Sequence, residues 1–144
     1  MEELLTLRQY IQEQHYDKAL ELIGEMEEMS KEDKLNKIYS YAVILLLHLI
    51  KQAAEQRTTR SWDFSIYNAT KEIRRVNKRR KVGGCYATEA ELKEILADAF
   101  DTAIKKAALE AFEGQYTETE IAAKIDANSI LATALDDIKA EQRA

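Results

Sequence analysis

YAVILLLHLI, residues 41–50, is apolar at every position except His48. A helix carrying this stretch is apolar on all sides, which is the pattern of a helix surrounded by others. Ten residues is about half of what a membrane span requires, and His48 interrupts the run. Upstream, Ser30 followed by Asp33 forms a weak capping box. The helix is therefore expected over residues 31–56, a rod of about 39 Å at 1.5 Å per residue, and it is the candidate central element.

The rest of the chain also reads as helix. There is no proline, and only four glycines occur in 144 residues, so the punctuation that strands and hairpins need is missing. Ala, Glu, Leu, Lys and Ile dominate, mostly good helix formers. Outward from the apolar rod, a first helix is expected over about Glu2–Gln14 and a second over Asp17–Glu28, with His15-Tyr16 as the corner. A fourth is expected from a Ser61 cap to about Arg80, ending ahead of Gly83-Gly84. Thr88 with Glu91 makes a capping box for a fifth helix, with Gly114 at its C-terminal end. Thr117 with Glu120 opens a sixth, with a break near Asn128. The expectation is an all-α, single-domain bundle of about six helices around the central apolar helix.

Ala99, Ala103, Ala107 and Ala111 recur every four residues, a ridge of small side chains that lets another helix approach closely. The simpler reading is an internal packing face; a self-association face is the alternative.

Composition narrows the function without assigning it. A third of the residues are charged and nearly half hydrophobic, a globular balance. The Met-Glu-Glu start lacks the basic and apolar parts of a signal peptide, and a lone cysteine, Cys85, fits a reducing compartment. A cytoplasmic location, with no membrane association, is expected. Net charge is −5, unevenly spread. Residues 71–81, KEIRRVNKRRK, hold seven bases against one acid, a local +6 that leaves −11 elsewhere. Such a chain is not a general polyanion binder. Arg74, Arg75, Lys78, Arg79 and Lys81 form the candidate face for nucleic acid or for an acidic partner, against the simpler reading of a solvated face.

Metal-ligand spacings are missing: there are two histidines, His15 and His48, and no HxxxH, CxxC or ExxH pattern. No phosphate-binding glycine loop occurs. No metal, cofactor or catalytic residue is assigned. The densest polar constellation runs from His48 through Lys51 to Arg57, Arg60, Ser61 and Trp62. His48 and Lys51 share a helical face, and a histidine in an apolar helix needs a hydrogen-bond partner. Two readings stay open: a cluster that locks the central helix against the next one, or a polar pocket that binds a ligand.

Two resemblances bear on this. Arg8 and His15 are separated by six residues, which resembles the Arg-x4–6-His signature of the small helical nucleases called HEPN and implies a role on RNA phosphate. LLLHLIKQAAEQRTTRSWDFSIYNATKEIRR, residues 45–75, resembles the central signature of domain-of-unknown-function family 29, a helical family abundant in cyanobacteria. His48, Lys51, Arg57, Arg60, Ser61, Trp62, Ser65 and Ile66 carry it, and it extends over about Tyr16–Phe112. Members often end in an acidic, proline-containing tail, where this chain has a proline-free helix. The resemblance implies an all-α fold, supplies no activity, and directs attention to the His48–Trp62 cluster.

The expected function is a non-enzymatic binding or self-association module, with a homo-oligomer or a protein as partner. The alternatives are a nucleic-acid-binding accessory protein using residues 71–81, and a small hydrolase or nuclease centred on His48 or His15.

Overall fold

The structure, a computed structural model, describes residues 2–79 and 83–140. Among these the protein is all-α, with six α-helices, one 3₁₀ turn and no strand. The helices are α1 (Glu2–Gln12), α2 (Tyr16–Glu55), α3 (Arg60–Asn77), α4 (Glu89–Glu110), α5 (Glu118–Ala122) and α6 (Ala127–Lys139). The 3₁₀ turn is Ala111–Gly114. The chain divides into two compact units, Met1–Lys34 and Leu35–Ala144.

The first unit holds α1 and residues 16–34 of α2. A Schellman-type turn ends α1: Gln14 has φ +62°, and the His15 N–H donates to Tyr10 O at 2.8 Å. No residue of α1 is buried. Ala19 is the buried hydrophobic side chain of this unit, with Leu7, Tyr10, Leu22, Ile23 and Met26 half-buried.

The break expected between Glu28 and Ser30 does not form; α2 runs continuously through Gly24 and Ser30. A break there would strip up to four carbonyls and four N–H groups of their intrahelical partners. One serine cap satisfies only one or two of these, whereas continuation keeps them all bonded at a cost of about 1 kcal/mol for the glycine.

The second unit is a helical bundle built on the later part of α2. Ile38, Leu45, Leu46 and Ile50 are among its most completely buried large side chains, joined by Ile73 of α3 and Ile121 of α5. Ala99, Ala103, Ala107 and Ala111 are fully buried in the same core, so the alanine ridge is an internal packing face. Tyr39 Oη and Thr102 Oγ1, 2.9 Å apart, tie α2 to α4. Each fully buried leucine or isoleucine contributes about 1.5–3 kcal/mol.

Local signals place the ends of these helices. The Thr88/Glu91 and Thr117/Glu120 capping boxes both form with both of their hydrogen bonds. The cap of α3 is Thr59 instead of Ser61: α2 stops at Glu55, Gln56 follows with φ +52°, and Thr59 Oγ1 then accepts the Trp62 N–H at 3.0 Å. α3 ends at Asn77, short of Arg80, because the Asn77 side chain turns to the Ala87 backbone. Its Oδ1 accepts the Ala87 N–H at 2.7 Å, and its Nδ2 donates to Ala87 O at 3.4 Å. Arg80 and Lys81 lie outside the described residues. The break expected near Asn128 falls at residues 123–126, where Asp126 caps α6 by accepting the Ser129 N–H. α4 stops at Glu110, with Ala111 as its C-cap, rather than at Gly114. Phe112, Glu113 and Gly114 then follow in left-handed conformation, with φ of 50°, 57° and 78°.

Candidate functional site

The end of α2, the link 56–59 and the first turn of α3 bring Lys51, Glu55, Arg57 and Trp62 together. The link is only four residues long, so Trp62 is returned beside the helix that precedes it. Trp62 is buried. The Lys51 Nζ and the Arg57 Cζ each lie 4.7 Å from the centroid of its ring, well within cation–π range.

Two cations on one ring need counter-charges, and both have them. Lys51 Nζ donates to Glu110 Oε1 at 3.1 Å, and Arg57 Nε donates to Glu55 Oε1 at 3.0 Å. Glu55 Oε2 also accepts the Phe112 N–H at 3.3 Å. The result is one chain of contacts, Glu110–Lys51–Trp62–Arg57–Glu55–Phe112, joining the end of α2, the start of α3 and the left-handed turn after α4. Lys51 is the buried member, its side chain 8% exposed against 48% for Glu110. An ammonium taken this far from water is tolerated because a carboxylate and an aromatic face replace its hydration.

His48 sits one turn before Lys51 and is half-buried. Its Nδ1 is buried and has no hydrogen-bond partner among the described residues. Burial holds its pKa below the usual imidazole value, the Lys51 charge lowers it further, and Glu110 opposes the shift. The ring is therefore favoured in its neutral form.

Of the residues marked by the sequence, His48, Lys51, Arg57 and Trp62 gather here. Arg60 and Ser61 are exposed in the first turn of α3. Glu110 and Phe112 were not legible beforehand, since they lie more than fifty positions along the chain from their partners and carry no local pattern. Among the described residues, no three His, Cys, Asp or Glu side chains are grouped to hold a metal ion.

The basic stretch does not make one surface. Arg74 turns inward and donates from Nη1 to the Asp137 carbonyl of α6 at 2.8 Å. Arg75 is exposed and bonds twice to Glu72, at 2.6 and 3.0 Å. Lys78 is exposed and pairs through its backbone with Cys85 in an isolated antiparallel bridge. Arg79 lies 5.5 Å from the Tyr86 ring centroid, and Lys81 lies outside the described residues. His15 is exposed in the turn before α2, 3.6 Å from Glu13, and Arg8 is exposed on α1.

No helix among the described residues is long and apolar enough to cross a membrane. No curated protein and no solved structure gives a significant match to this chain. The model of one family, described as the domain of unknown function DUF29, matches residues 4–131. That span is wider than the Tyr16–Phe112 segment in which the resemblance was legible and takes in all of α1 but its first two residues, all of α5 and the start of α6. With the His48–Trp62 signature lying inside a match of this extent, the protein belongs to the DUF29 family.

Proposed function

We propose that the protein is a non-enzymatic binding module whose working surface is its N-terminal helical pair, α1 and residues 16–34 of α2, and whose partner is a protein presenting a basic amphipathic helix. One observation carries this reading. Leu4, Leu5, Ile11, Tyr16, Leu20 and Met29 are each between 48% and 69% exposed, a concentration of uncovered apolar side chains in one short unit. Isolated exposed apolar residues are ordinary; Leu4 with Ile11 on α1, and Tyr16 with Leu20 on α2, recur at helical spacing, and paired exposure of this kind supports an interaction surface.

The charge of the same unit selects the partner. Residues 1–34 hold ten acids against four bases, a net −6. A second copy of this unit would bring like charge to like charge, which disfavours contact between two such arms. A helix with a leucine face flanked by lysines complements both the apolar side chains and the carboxylates. By contrast, the polar cluster of the second unit supports packing over catalysis, because its cations are matched by Glu110 and Glu55 and its indole is covered.

Fluorescence anisotropy with a labelled Lys/Leu amphipathic peptide tests the proposal. Binding should be saturable, weakened by salt and lost in the Leu5→Asp/Leu20→Asp variant, while a Glu/Leu peptide of the same pattern should not bind. Equal binding by the variant, or no binding of the Lys/Leu peptide, rejects the reading.

A further inference from the structure

α3 carries a second exposed surface with different chemistry. Arg60, Phe64, Tyr67, Lys71, Arg75 and Lys78 follow one another at spacings of 4, 3, 4, 4 and 3, so they share one face of the helix and its C-cap. All six are exposed. Phe64 and Tyr67 are 64% and 56% exposed, unusually high for aromatic side chains. Their ring centroids are 6.4 Å apart, and the Lys71 Nζ lies 5.9 Å from the Tyr67 centroid.

The two carboxylates of α3 do not cancel this face. Asp63 accepts from Thr58 Oγ1 at 2.8 Å and Gln52 Nε2 at 3.2 Å, so it is held by the preceding link. Glu72 is held by Arg75. The acidity of the whole chain is also misleading at this surface. With −6 on residues 1–34, the remaining residues sum to +1.

We propose that this face of α3 is a track for single-stranded nucleic acid, with Phe64 and Tyr67 stacking on bases and Arg60, Lys71 and Lys78 contacting phosphates. Aromatic rings beside cations along one groove or ridge are how single strands are held without sequence readout, since every base offers a π-face. A duplex hides those faces. From Arg60 to Lys78 the helix rises about 27 Å, room for a few nucleotides. An acidic protein segment would use the cations but would leave the paired rings without a role.

The test is fluorescence anisotropy with labelled single strands of uridine and of thymidine, their duplexed counterparts, and polyglutamate. The uridine or the thymidine strand should bind more tightly than duplex, and the tighter of the two tells RNA from DNA. With three phosphates neutralised, the slope of log affinity against log salt should be about −2. Phe64→Ala and Tyr67→Ala should each weaken binding about tenfold, and Tyr67→Phe should restore it. Lys71→Glu should weaken binding to both strands alike and flatten the slope by at least about 0.7. These positions are exposed, so the helical circular-dichroism signal should not change. The proposal is overturned by no binding at about 50 mM salt, by affinity unchanged in both aromatic variants, or by polyglutamate binding as tightly as the single strands. The last outcome would assign the face to an acidic protein.

Discussion

Lys51 and Trp62 form the pivot of the second unit: an almost fully buried ammonium rests 4.7 Å from the centroid of a buried indole. Lys51 lies near the end of α2 and Trp62 in the first turn of α3, so the contact joins the two helices across the short link between them. Glu110 completes the charge balance from the last turn of α4, which ties three helices to one cation. A residue type that ordinarily stays in water thereby becomes a structural element.

Removing the anion should expose the cost of that arrangement. Glu110→Ala leaves Lys51 buried with only the ring as partner. Because Glu110 is half-exposed and partly screened by solvent, the expected destabilisation is about 1–2 kcal/mol, below the figure for a fully buried pair. In Lys51→Met/Glu110→Ala no buried charge remains, so the double variant should be more stable than Glu110→Ala alone. Urea denaturation followed through the fluorescence of Trp62, the single tryptophan, measures the coupling. A coupling of zero would remove Lys51–Glu110 from the latch.

His48 should make stability depend on pH in a defined direction. Its folded pKa is depressed, first by burial and then by Lys51. In the window just below the ordinary imidazole value of about 6.5, the unfolded chain binds a proton that the folded chain resists. The contribution is therefore fully present above that value and is lost as pH falls through it toward the folded pKa. The slope approaches about 1.4 kcal/mol per pH unit at most. His48→Leu should flatten the dependence between about pH 6.5 and pH 5, above the range where most carboxylates titrate. An unchanged slope in that variant would show that His48 is not the responsible group.

Much of the fold is legible in the sequence because its signals are local. The Thr88/Glu91 and Thr117/Glu120 boxes act over three residues, and the stretch 41–50 announces its own burial at most positions, although Ile44 is exposed. The errors arise where a local signal competes with something larger. Ser30 reads as a cap only when the cost of interrupting α2 is ignored, and Ser61 loses to Thr59 because the positive φ at Gln56 decides where the link begins. The alanine ridge shows a close approach but cannot say to what; burial at all four positions answers that. For the polar cluster, proximity along the chain marks His48, Lys51, Arg57 and Trp62, whereas Glu110 reaches Lys51 across a separation of 59 positions. The inward turn of Arg74 is invisible for the same reason, since its acceptor is a backbone carbonyl of α6. The mixed face of α3 is hidden by order along the chain: Phe64 and Tyr67 precede the basic run, and only helical geometry aligns them with it.

The left-handed turn after α4 supplies the last expectation. Phe112 and Glu113 occupy a region that costs a residue with a side chain roughly 1–2 kcal/mol. The bond from the Phe112 N–H to Glu55 holds them there, beside an edge-on contact between Phe112 and Tyr116 with centroids 4.9 Å apart. Gly114 extends the turn at φ +78°, and a Cβ placed on it would meet Leu109 O at 3.1 Å. Gly84 has nearly the same φ, +75°, but nothing within 4 Å of its Cβ position. Gly84→Ala should therefore report the backbone penalty alone, about 1 kcal/mol, whereas Gly114→Ala adds a close approach to a carbonyl and should cost about 2–3 kcal/mol. Denaturation midpoints of the two variants, compared at unchanged m-values, separate the terms. If Gly114→Ala were no more costly than Gly84→Ala, the close approach to Leu109 would not constrain the turn, and Glu55 would be left as the contact that holds it.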